Sequence, residues 1–164
     1  MSEEAKVALD RLLDDYDKKL QERQKMEGKK QTEEEAFAQA FKKLSSSVIL
    51  PIMEKMGLHL KMRGHDYRVY EEDETVDAEG RTRDACIYIN IYPAGIERSK
   101  FGSTNTPSVK FSATKSNRLV CIYMNKIMPD RGGSWGPNET FDTANITSAL
   151  VERKILELLR EILK

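Results

Sequence analysis

Residues 86–92 read Cys-Ile-Tyr-Ile-Asn-Ile-Tyr. Ile87, Ile89 and Ile91 alternate with Tyr88, Asn90 and Tyr92. That period of two predicts a β-strand with one apolar and one amphipathic face. Candidate strands flank it on both sides, and candidate helices lie beyond them.

Upstream, Asp77-Ala-Glu-Gly80 predicts a type I turn with its glycine in the left-handed position. The turn pairs Asp77 with Arg81, which sets Val69 opposite Ile89 and Tyr67 opposite Ile91. A shift of one residue would set those isoleucines against Arg68 and Asp66, so the first register is the one that keeps a face apolar. It also sets Glu74 against Asp84, a like-charge pair at a wet tip. Further back, Leu58, Leu60 and Met62 alternate with His59, Lys61 and Arg63. The parity switches after Gly64, where Tyr67 and Val69 follow, and this predicts a strand with a β-bulge.

Downstream, Pro93 to Pro107 predicts a loop. Two further strands carry Val109, Phe111 and Ala113, then Val120, Ile122 and Met124, around a Ser116-Asn117 turn. Pairing Lys115 with Arg118 sets Phe111 opposite Ile122 and Val109 opposite Met124. A second loop runs from Pro129 to about Asp142. A last helix starts near Thr143 or Thr147, with Ile146, Leu150, Val151, Ile155, Leu158, Leu159 and Ile162 on its buried side.

Two helices precede the strands. The first, Ser2 to about Glu27, is a charged rod with one stripe of Leu9, Leu12, Leu13, Tyr16 and Leu20. Gly28 and two lysines read as its stop. Thr32 with Glu35 has capping-box spacing and starts the second helix. Its apolar face is Phe37, Ala40, Phe41, Leu44 and Val48, with a break near Ser45–Ser47 ahead of Pro51 and an end at Gly57.

The fold class is therefore α+β: two N-terminal helices, a four-stranded antiparallel meander sheet, and a C-terminal helix packed on one sheet face. Residues 1–28 form a charged helix suited to be an oligomerisation arm, and 32–164 a compact α+β domain.

Twenty-seven basic residues cancel twenty-seven acidic ones, so net charge selects no partner class. The charge is nevertheless divided. Glu71 to Asp84 holds seven acidic residues against Arg81 and Arg83, whereas Cys86 to Trp135 holds seven basic ones against Glu97 and Asp130. The start, MSEEAKVALD, has no apolar run of the secretory kind, and no stretch has membrane-spanning length. With two cysteines, the expected compartment is the reducing cytoplasm.

Motifs for catalysis are poor. Gly132-Gly-Ser-Trp-Gly136 fits G-x-S-x-G, but Pro137 and a polar loop follow Ser134 where a helix is required, and His59 and His65 both precede it. Those histidines are six residues apart in the chain, roughly 20 Å in a straight strand, too far to share a metal. Cys86 and Cys121 without nearby histidines are not a zinc set. The acidic run Glu71–Glu79 breaks EF-hand order, with Ala78 where glycine is needed. No cofactor, metal or catalytic residue is assigned.

Two places could bind. The second face of the sheet carries Arg68, Tyr70, Tyr88, Asn90, Tyr92, Lys110, Ser112 and Tyr123, a mix of aromatics and cations used by single-stranded nucleic-acid binders. Tyrosine also has high strand propensity, so the same face suits a covering helix or a protein contact. The second place is a loop site of Arg98 and Lys100 with Arg131 and Trp135. The order α-β-β-β-α resembles double-stranded RNA-binding domains in outline only. Their basic stretch at the start of the last helix is replaced here by Ala149, Leu150, Val151 and Glu152.

The leading functional expectation is a non-enzymatic protein-interaction or self-assembly module, partnered by itself or another protein and not by a membrane. The alternatives are single-stranded nucleic-acid binding through the tyrosine face, and a small enzyme or ligand-binding protein with its site in loops 93–107 and 129–142.

Overall fold

The computed structural model describes residues 1–164. The chain divides into two compact units, Met1–Ala36 and Phe37–Lys164. Helix α1 (Glu3–Leu44) runs through that boundary without a stop. Gly28 is therefore a helix-interior residue, and so is Thr32, whose hydroxyl donates to the Gly28 carbonyl at 2.9 Å. A threonine satisfied by the carbonyl one turn back has no reason to cap, and the capping-box spacing is coincidental.

The break falls at Ser45–Ile49, as a π-helical segment. Pro51 has no N–H to give the preceding turn, and the Leu50 N–H reaches back five residues to the Ser45 carbonyl. Ser46 and Ser47 donate their hydroxyls to the Lys43 carbonyl at 3.1 and 2.6 Å. Helix α2 (Leu50–Met62) follows and corrects two expectations. Gly57 does not end it, and residues 58–62 are helical rather than extended. Met53, Gly57 and Leu60 are buried at spacings of four and three, while Leu58 and Met62 are exposed. The helical period decided the burial, and the apparent alternation of leucines carried no weight. His59 thus sits in a helix and His65 beyond its end.

Gly64 terminates that helix instead of bulging a strand. Its φ is +91°, its N–H donates to the Lys61 carbonyl at 3.1 Å, and the His65 N–H donates to Leu60 at 3.1 Å. That pair of bonds is the Schellman arrangement, in which Gly64 takes the left-handed position.

The strands are β1 (Asp66–Glu72), β2 (Thr75–Val76), β3 (Thr82–Arg83), β4 (Cys86–Tyr92), β5 (Ser108–Thr114), β6 (Leu119–Asn125) and β7 (Glu139–Phe141). The main sheet is antiparallel in the order β1-β4-β5-β6-β7, and β2-β3 extends its first hairpin. It has five strands where four were expected, because Glu139–Phe141 pairs with Val120–Ile122. The remaining registers follow the parity argument: Val69 faces Ile89, Tyr67 faces Ile91, Phe111 faces Ile122 and Val109 faces Met124. In the first turn the Gly80 N–H donates to Asp77 at 3.0 Å, with Gly80 at φ +79°. Glu74, beside Asp84, pairs with Lys115 at 2.7 Å. Burial, and secondarily Glu74, pushes the Asp84 carboxyl above its ordinary range.

Helix α3 (Ser148–Ile162) is capped by Thr147, whose Oγ1 accepts from the Leu150 N–H at 3.2 Å. Ile87, Ile89, Ile91, Val109 and Phe111 have no exposed surface and share one core with Ile49, Met53, Val151, Ile155 and Leu158. Each such side chain contributes about 1.5–3 kcal/mol on burial, so the isoleucine face is what holds α2 and α3 to the sheet. That packing leaves the tyrosine face pointing the other way. No helix is long and apolar enough to cross a membrane.

Candidate binding surfaces

The face away from the helices is built from three cross-strand rows. The first runs Trp135, Asn125, Ser108, Asn90, Arg68. The second runs Tyr123, Lys110, Tyr88, Tyr70. The third runs Thr140, Cys121, Ser112, Cys86, Glu72. Directly paired residues share a face, so these side chains form one surface. Of the eight sheet residues named from sequence, six are half-buried there, Ser112 is buried and Arg68 is exposed.

Trp135 joins this surface because its loop is pinned. The Lys126 N–H donates to Ser134 at 3.0 Å and the Gly136 N–H to Met124 at 2.8 Å. Gly133 lies so close to Lys126 that a Cβ there would stand 2.3 Å from the carbonyl oxygen. Trp135 and the loop residues Ser103 and Thr106 then wall a depression of about 370 Å³. Its other lining residues include Glu72, Tyr88, Asn90, Ser108, Lys110 and Tyr123. Thr106 is held below by Asn125, whose amide donates to the Thr106 carbonyl at 2.9 Å.

The aromatic rings already have partners. Tyr70 and Tyr88 stack with centroids 5.0 Å apart, and the Lys110 ammonium lies 5.8 Å from the Tyr88 ring. Arg98 sits 3.3 Å over Tyr92, pairs with Asp66 at 2.7 Å, and leaves Tyr92 edge-on to Phe101. Lys110 has no carboxylate within ion-pairing distance. Burial, then Glu72, pushes the Tyr88 hydroxyl up to about 12, and burial pushes the Cys86 thiol up to about 11. Cys86 is thus a protonated thiol at neutral pH and a poor nucleophile.

The four loop residues grouped from sequence do not converge. Trp135 lines the depression, and Arg98 clamps Tyr92. Arg131 instead grips the end of α3, donating to the carbonyls of Ile162 and Lys164, the latter at 2.9 Å. Lys100 is exposed in a short turn at 98–100. Sequence reasoning missed Ser103, Thr106 and Glu72. Ser108 could have been found, since it shares parity with Lys110 and Ser112.

The Met1–Ala36 unit carries the second surface. Every residue from 1 to 32 is exposed. Along the helix Leu9, Leu12, Leu13, Tyr16 and Leu20 keep between 39% and 68% of their surface in water. The charge around this stripe is in blocks. Residues 3–17 hold six acidic side chains against Lys6 and Arg11, net −4, and residues 18–30 hold six basic ones against Glu22 and Glu27, net +4. No protein-family model, curated protein or solved structure matches the chain.

Proposed function

We propose that the chain is a non-enzymatic self-assembly module whose two copies join through the arm helix at residues 3–30. The observation that carries this reading is the wet stripe of Leu9, Leu12, Leu13, Tyr16 and Leu20. Isolated helices gain most of their stability from burying such a face, so a stripe of this kind calls for a partner. The occupant it fits is a second copy. A −4 block followed by a +4 block is complementary to itself, and one arm supplies both halves of the match.

Light scattering on the full chain tests it. The unaltered protein is expected as a dimer, and Leu13→Glu with Leu20→Glu as a monomer. Two buried leucines lost per chain raise the dissociation constant by more than about 100-fold. Identical masses for the two proteins would remove the reading.

The depression on the sheet supports a second reading, a small-ligand site. It is favoured by the placement of Trp135 on the same face as the unpaired Lys110. Occupation of Tyr88 and Tyr92 by their own neighbours favours a small ligand over a strand of stacked bases. Trp135 is the sole tryptophan, so its emission reports on this site alone. A ligand there shifts that emission, and Lys110→Ala weakens the response by about tenfold or more. A panel of amino acids, nucleotides and sugars that leaves the emission unmoved would exclude the site for those classes.

A further inference from the structure

We infer that the two arms pair antiparallel, across a centre between Asp14 and Asp15; this rests on the self-assembly reading above. Two features of residues 3–30 bear on that pairing: the stripe fits it and sets its centre, and the charge selects it over a parallel pair. The first is the stripe. Reversing one helix about that centre sets Leu9 opposite Leu20 and Leu13 opposite Tyr16, while Leu12 lies beside the seam opposite Asp17. The stripe fades beyond these residues, with Lys6 and Arg23 following at the next seam positions. The contact is therefore short and centred, and sliding by a full turn would leave a leucine against a charge.

The second feature is charge. Antiparallel pairing about that centre lays residues 3–11, net −1, along residues 18–26, net +3, twice over, and confines like-charge contact to the stretch 12–17, net −3 in each copy. Parallel pairing lays each block along its own copy, −4 against −4 and +4 against +4, and aligns the two helix dipoles head to head. The reversal also brings Asp10 of one copy near Asp17 of the other along one flank. That repulsion belongs to the acidic centre of the pair, and Asp17→Asn relieves it.

The orientation has a geometric consequence. At 1.5 Å of rise per residue, Ala36 lies ~32 Å from the centre, so the two Ala36 ends stand ~65 Å apart along the pair. In a parallel pair they would be separated only by the interaxial distance, ~10 Å.

Cross-linking of the unaltered full chain tests this. Equal amounts of 14N and 15N protein are mixed, allowed to exchange, treated with a lysine-reactive linker, and read by mass spectrometry, so that mixed-isotope peptides identify links between copies. The expected result is inter-chain links from Lys6 to Lys25, which lie ~28 Å apart within one helix but within about two residues of each other across the pair. Links from Lys6 to Lys6 and from Lys30 to Lys30 in a protein that scatters as a dimer would overturn the orientation and leave self-assembly standing. Absence of mixed-isotope links in a protein that scatters as a monomer would overturn both.

Discussion

Replacing Glu139 and Glu157 together by glutamine is expected to cost the compact unit about 3–5 kcal/mol, whereas Lys154→Met costs under about 1 kcal/mol. The asymmetry comes from where the charges sit. Lys154 is 3% exposed, and its ammonium donates to Glu139 at 2.5 Å and Glu157 at 3.2 Å. Both carboxylates keep 39% of their side-chain surface in water. Removing the lysine leaves two carboxylates that solvent can reach, and a methionine fills its volume. Removing the carboxylates leaves an ammonium with neither water nor counter-charge. Glu139 is also a β7 residue, so the pair ties the fifth strand to α3. Urea denaturation reads the difference directly as a change in midpoint. Equal losses for the two variants would show that the ion pair is itself a net stabiliser rather than a compensation for a buried charge.

The second large effect is at Gly57, where the usual rule for helices is reversed. Alanine in place of a helix-interior glycine ordinarily stabilises by about 0.5–1 kcal/mol. At Gly28, where an added Cβ would meet nothing within 4 Å, that gain is expected. At Gly57 the added Cβ would stand 2.3 Å from the Tyr67 ring. Tyr67 cannot step aside freely: its hydroxyl donates to Glu54 at 2.6 Å, and its backbone is locked opposite Ile91. Gly57→Ala therefore destabilises by about 1–3 kcal/mol, as overpacking does, and Gly28→Ala does not. Thermal unfolding followed by circular dichroism should move in opposite directions for the two substitutions. A rise in both would mean that α2 and β1 can separate at little cost.

These two glycines also illustrate what was legible in the sequence. The strand registers were, because a one-residue slip would have turned Ile89 and Ile91 toward charged partners, and the hydrophobic pattern alone rejects that. The tyrosine face followed from the same parity. The helix limits were not legible. Gly28 and Gly57 look like stops until the surroundings are known, and Leu58, Leu60 and Met62 alternate by chance within a helix. What decides such cases is long-range: the groove that Tyr67 fills, and the chain reversal that Gly64 allows. Trp135 and β7 belong to the same class. Their place on the sheet depends on backbone bonds to β6 from a loop whose composition announces only irregularity.

The outer strands of the sheet carry a consequence for assembly. One rim is only three residues long, and the other presents Asp66, Arg68, Glu71 and Glu72 along seven. A brief rim and a charged one both discourage strand-by-strand growth, the route by which open sheets become fibrils. On the self-assembly reading proposed above, association is left to the helical arm, whose pairing would close on itself and yield a particle of finite size.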